Sequence, residues 1–167
     1  MTPLGPKIAV IGGATADSSA TESAFRIGVA IGQSGATLLC GGRGGVMRAA
    51  AEGARSVGGA TVGILPGVDR DESPPNPFIQ TAIFTGMGQA RNQILVLSAD
   101  AVIGCGGGWG TLSEIGLALK HRRPLILVDS WEFETPVDCS DAPLFRAESA
   151  EEAVQRALEE VRKGTGP

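Results

Sequence analysis

The 167-residue sequence holds no apolar run near the ~18–20 residues that a membrane span requires, and its start lacks a signal-peptide pattern. Its longest apolar runs, such as ILVL and PLILV, have the length of buried strands or helix faces. A cytoplasmic protein with no membrane partner is expected. Net charge is −4, and no Lys/Arg cluster exceeds HRR at 121–123, which argues against nucleic acid held on a broad basic face. Cys40, Cys105 and Cys139 are widely spaced, form no C-x-x-C, and have only His121 to join them. That set predicts reduced thiols and no metal site. A cysteine nucleophile would lack a base, since His121 lies in the loop-like KHRRP. No Gly-Lys-Ser/Thr occurs, and GGATAD at 12–17 fails the G-x-G-x-x-G fingerprint. A P-loop nucleotidase and an NAD-dependent dehydrogenase are thereby disfavoured.

Glycine is what the chain has in excess. There are 25, concentrated at the ends of apolar runs, where turns or close ligand approach demand them. KIAVIG (7–12), TLLC (37–40), ATVGIL (60–65), IQTAIF (79–84), AVIG (101–104) and PLILV (124–128) read as strands. Between them, helices are predicted over about 20–34, with Ser19 and Thr21 as competing caps, and over 46–58, 88–99 and 112–121. GVDRDESPPNPF is the longest clear loop. The segment 129–147 is ambiguous, with a short strand near Leu144–Arg146. SAEE (149–152) has the form of a capping box, opening a last helix with Val154, Leu158 and Val161 on one stripe. GTGP is expected to fray. Unbroken apolar strands alternating with helices predict a doubly wound α/β fold of Rossmann type, with a mostly parallel sheet covered on both faces. Residues 1–167 are expected to form one nucleotide-binding domain.

Ligands of such folds bind at the carboxyl ends of the strands, near a topological switch point. GGATADSS (12–19), GGRGG (41–45) and GCGGGWGT (104–111) all fall at strand ends. If they converge, backbone N–H groups and helix N-termini around Gly13, Gly42, Arg43, Gly107, Gly108 and Gly110 form an anion site, with Thr111 adding a hydroxyl. A structural reading stands beside this one. Thr111-Leu-Ser-Glu114 has the spacing of a capping box, and Arg43 and Arg91 read equally as solvated surface charges.

The stretch MGQARNQILVLSADAVIGCGGGWGTLSEIGLALKHRRPLILV resembles the central block of the LOG (Lonely Guy) family, formerly mislabelled lysine decarboxylases. In that family a Met-x-x-Arg-Lys helix precedes the signature P-G-G-x-G-T-x-x-E. GGRGGVMRAAAEGA resembles the family's G-G-G-x-x-G-L-M-G, with one residue fewer. The likeness spans roughly residues 7–128. Family enzymes cleave the N-glycosidic bond of nucleoside 5′-monophosphates of AMP or cytokinin type, releasing the base and ribose 5-phosphate. The resemblance thus implies that the glycine loop and Thr111 hold a phosphate, that Met87 belongs to the ligand site, and that Arg91 and Glu114 form the catalytic pair. It also implies a homodimer, for which Ile94, Leu95, Val96 and Leu97 offer more apolar surface than one buried face needs. Gly106 stands where the signature has proline, Asn92 where it has lysine, and Arg48 where it has glycine. These departures are closer to the molybdenum-cofactor carrier proteins, so a carrier of a phosphorylated pterin is the alternative. A pyridoxal decarboxylase needs a Schiff-base lysine, and Lys7, Lys120 and Lys163 all lie away from the glycine loops. No cofactor is expected.

Overall fold

The computed structural model describes residues 5–132 and 142–164. Seven strands form one parallel sheet: β1 (Lys7–Ile11), β2 (Thr37–Cys40), β3 (Thr61–Leu65), β4 (Thr81–Phe84), β5 (Ala101–Cys105), β6 (Leu125–Val128) and β7 (Leu144–Arg146). Their spatial order is β4-β3-β2-β1-β5-β6-β7, and every neighbouring pair is parallel. Five α-helices cover the sheet: α1 (Ser18–Gln33), α2 (Val46–Ser56), α3 (Arg91–Ser98), α4 (Trp109–Lys120) and α5 (Ala150–Gly164). This is the doubly wound α/β architecture expected from the pattern of strands and helices.

The alternation of side chains explains why the buried stretches Ile8–Ile11, Leu38–Cys40, Ala101–Cys105 and Leu125–Val128 carry no charged or hydroxyl side chain. Ile8 and Val10 enter the core under α1, α2 and α5, whereas Ala9 and Ile11 enter the core under α3 and α4. A strand buried on both faces must be apolar throughout. The edge strand β4 departs from this, with Ile83 left 45% exposed. Helices α1 and α2 cross closely because Gly28 and Gly53 face each other's helix. A Cβ on Gly28 would strike the Ala50 carbonyl, and one on Gly53 would strike the Phe25 carbonyl.

Element ends differ from the sequence reading in specific ways. Helix α1 is capped by Asp17, whose Oδ1 accepts from the Ala20 N–H at 2.8 Å, rather than by Ser19 or Thr21. Asp17 holds the extended backbone a cap requires, while Ser19 and Thr21 are already helical. The helix expected over 88–99 is split into a 3-10 turn at Gly88–Ala90 and α3. At α5 the capping box closes one residue early. Ser149 Oγ accepts from the Glu152 N–H, but the Glu152 carboxylate accepts from the Glu148 N–H. Cys40 and Cys105 are free, buried thiols, pushed up by burial to about 11 and about 12, so both stay protonated at neutral pH. Cys139 and the rest of 133–141 within the ambiguous 129–147 segment lie outside the described residues, as do the last three residues of GTGP. Among the described residues no helix is long and apolar enough to cross a membrane.

Candidate functional site

Strands β1 and β5 are adjacent in the sheet but leave in opposite directions, β1 towards β2 and β5 towards β6. The crevice beyond their carboxyl ends is the switch point of the fold. A cleft of about 420 Å³ opens there, lined by the turn after β1, the loop before α2, and the start of α4. A second hollow of about 510 Å³ lies against Lys7 and Asp100. Those two charges already satisfy each other in an ion pair at 3.0 Å, so the smaller cleft carries the open chemistry.

One wall of the cleft is built from backbone. Helix α4 begins at Trp109, with Gly108 as an extended N-cap at φ −148°. Its first helical hydrogen bond runs from the Leu112 N–H to the Gly108 carbonyl at 2.9 Å. The amides of Trp109, Gly110 and Thr111 therefore precede the helical ladder and remain as donors at the positive end of the helix dipole. Helix α2 brings a second N-terminus, with Met47 and the preceding Arg43 on the same cleft wall. The loop carrying Arg43 is held in place by Asn76, whose Nδ2 donates to the Arg43 carbonyl and whose N–H donates to the Gly42 carbonyl, both at 2.8 Å.

Beside the amides that start α4 sit Arg91 and Glu114. They come from the first turn of α3 and the second turn of α4, and they are only 6% and 7% exposed. Arg91 fits because residue 41 is glycine. A Cβ there would collide with its guanidinium and with Met47. Arg91 Nε and Nη1 are buried without a hydrogen-bond partner, and burial lowers its pKa while Glu114 opposes that shift. Burial also raises the Glu114 carboxyl to about 7, partly offset by the Arg91 charge. Among the described residues no hydrogen bond is made to that carboxylate, which faces the cleft. A buried carboxyl without a hydrogen bond among the described residues, beside a guanidinium with two unpartnered nitrogens, costs stability, as sites that act on ligands commonly do.

Of the residues singled out from sequence, Gly13, Arg43, Arg91, Gly108, Gly110, Thr111 and Glu114 all line this one cleft. Gly42, Gly107 and Met87 do not. Gly42 is a buried turn residue at φ +74°, where a Cβ would press on Leu65. Gly107 faces Trp131 in a neighbouring shallow groove, and Met87 is 51% exposed ahead of the 3-10 turn. The capping box at Thr111 is also corrected. Thr111 lies inside α4, 2% exposed, because Gly108 starts the helix three residues earlier. Gly12, Ala14, Met47, Pro66 and Gln89 complete the lining without having been singled out. Gly12 belonged to a glycine pair that the motif already marked, whereas Pro66 and Gln89 gave no local signal. Asn92, noted as a departure from the LOG pattern, is a 5% exposed wall residue.

Residues 5–160 match the SLOG cluster4 family. An uncharacterized protein of Archaeoglobus fulgidus is 44% identical over 137 residues, covering 78% of this chain and 89% of that one. The cytokinin riboside 5′-monophosphate phosphoribohydrolase of Mycobacterium tuberculosis is 35% identical over 117 residues, covering 66% of this chain. The alignment spans 63% of that enzyme's own length. The solved molybdenum cofactor binding protein of the phototrophic bacterium Rippkaea orientalis is 36% identical with a TM-score of 0.85. That likeness covers 99% of this chain and 100% of the other.

Proposed function

The chain belongs to the SLOG cluster4 family, a LOG-like group, and from that premise we propose that its cleft binds a nucleoside 5′-monophosphate and hydrolyses the N-glycosidic bond. The observation that carries this reading is the Glu114 carboxylate, buried, without a hydrogen bond among the described residues and set beside Arg91 next to the amides that start α4. In this reading the phosphate takes the amides at the start of α4, the Thr111 hydroxyl and the Arg43 guanidinium. The ribose then lies against Arg91 and Glu114. As the bond to the base breaks, positive charge develops on the sugar ring, and an ionised Glu114 stabilises it or activates the attacking water. The Arg91 charge favours the ionised carboxylate against the burial that raises it, and Arg91 positions sugar hydroxyls. A homodimer located in the cytoplasm is part of the same proposal.

A second reading is a non-catalytic carrier of molybdenum cofactor or another phosphorylated ligand. It is favoured by the end-to-end likeness to the Rippkaea protein and by Asn92, which leaves the site one cation fewer than the LOG lysine would supply. A panel of nucleoside monophosphates, scored for free base, separates the two. The enzyme reading predicts base release by wild type and a loss on the order of 100-fold or more in Glu114→Gln, with ligand still bound. No base from any nucleotide leaves the carrier reading.

A further inference from the structure

Asn92 does more than replace a charge. It stands in the first turn of α3, immediately after Arg91, on the wall of the cleft and 95% buried by its 5% exposure. Its Nδ2 donates to Ser113 Oγ on α4 at 3.3 Å. The orientation of that amide follows from hydrogen-bond counting. Ser113 spends its only proton on the Gly110 carbonyl at 2.8 Å, so its oxygen can only accept. The side of Asn92 facing Ser113 must therefore be the NH₂ group, and turning the amide over would set two acceptors against each other. What remains is the Asn92 Oδ1, a buried carbonyl oxygen with no partner. Leaving such an acceptor unsatisfied is unfavourable, and the neighbouring Arg91 donors do not reach it.

We propose that Asn92 is a specificity-determining residue whose Oδ1 accepts a hydrogen bond from a hydroxyl of a bound sugar phosphate. This rests on the reading of the cleft as a sugar-phosphate site. A lysine here would supply donors for a second anionic group, and asparagine held by Ser113 supplies an acceptor for a neutral donor instead. The cleft keeps Arg43 and Arg91 for the phosphate and the Glu114 carboxylate, and uses Asn92 to read the ring. A site built to bond a hydroxyl rejects the analogue lacking it far more strongly than an apolar wall does.

The test is calorimetric titration of the protein with ribose 5-phosphate, its 2-deoxy and 3-deoxy analogues, and orthophosphate. Wild type is expected to bind ribose 5-phosphate about 10- to 100-fold tighter than at least one deoxy analogue. Asn92→Leu, similar in volume, should erase that preference while orthophosphate affinity holds within about twofold. Ser113→Ala, which frees the amide to rotate, should leave a preference between the two. The unliganded Asn92→Leu protein should melt no lower than wild type, because it removes an unsatisfied acceptor, whereas a merely structural asparagine would lower the melting temperature. Equal wild-type affinity for all three sugar phosphates, or an unchanged preference in Asn92→Leu, overturns the proposal. Orthophosphate bound without any sugar phosphate also overturns it but spares the proposed anion site. Failure to bind orthophosphate as well overturns both.

Discussion

Burial holds the Glu114 carboxyl at about 7 against an ordinary value of 4.5, and this makes its role measurable without a substrate. The folded protein keeps the proton that the unfolded chain has already released. Stability is therefore unaffected by this group below about pH 4.5, falls as pH rises from there to about 7, and stays reduced above. The shift corresponds to about 3 kcal/mol. Glu114→Gln removes the titration, so the variant should gain stability relative to wild type between pH 5 and pH 8, seen in urea unfolding at both values. Parallel stability of the two proteins across that range would show that the carboxylate is not buried as described. For catalysis the sign is opposite, since the ionised form is needed and base release should rise with pH through about 7. Arg91 and Glu114 were both visible in the sequence as motif members. Their burial was not, because a guanidinium reaches its place only through the missing side chain of Gly41, about fifty positions earlier.

At the scale of elements, the strands were the most legible part, because a strand buried on both faces leaves a continuous apolar run. Helix starts were less legible. Thr111 and Glu114 have capping-box spacing, yet the backbone turns helical at Trp109 after an extended Gly108, with the preceding Gly107 packed against Trp131. The same limit applies to the helix expected over 88–99, whose first three residues form a 3-10 turn ahead of α3. Helix α3 also shows how surplus apolar residues are used. Leu95 and Val96 are fully buried, while Leu97 remains 40% exposed, and Val68, Ile83 and Met87 are exposed as well. Single exposed apolar side chains are common on monomers, whereas contiguous apolar surface marks an interface, and the proposed homodimer is the use expected for the exposed side of α3. Light scattering at micromolar concentration should return twice the 17.0 kDa chain mass. A mass of one chain would remove the proposed dimer.

Across the whole molecule, the parallel order and the reversal between β1 and β5 bring together segments that are about ninety residues apart in sequence. Gly13, Arg43, Arg91 and Gly108 share one cleft for that reason alone. Glycine-rich strand ends announced three separate turns, and only the strand order decides which of them meet. The amides at the start of α4, the Thr111 hydroxyl and the Arg43 and Arg91 guanidinium groups lie together there, and such a set prefers an anion over a neutral ligand. The most direct measurement is a calorimetric comparison of AMP with adenosine, made on the Glu114→Gln protein so that the nucleotide survives the titration. The account predicts that AMP binds about 100-fold tighter or more, since charge-assisted hydrogen bonds to the phosphate each contribute about 1.5–3 kcal/mol. Equal affinity for the two, or no binding of AMP at saturating concentration, would contradict it.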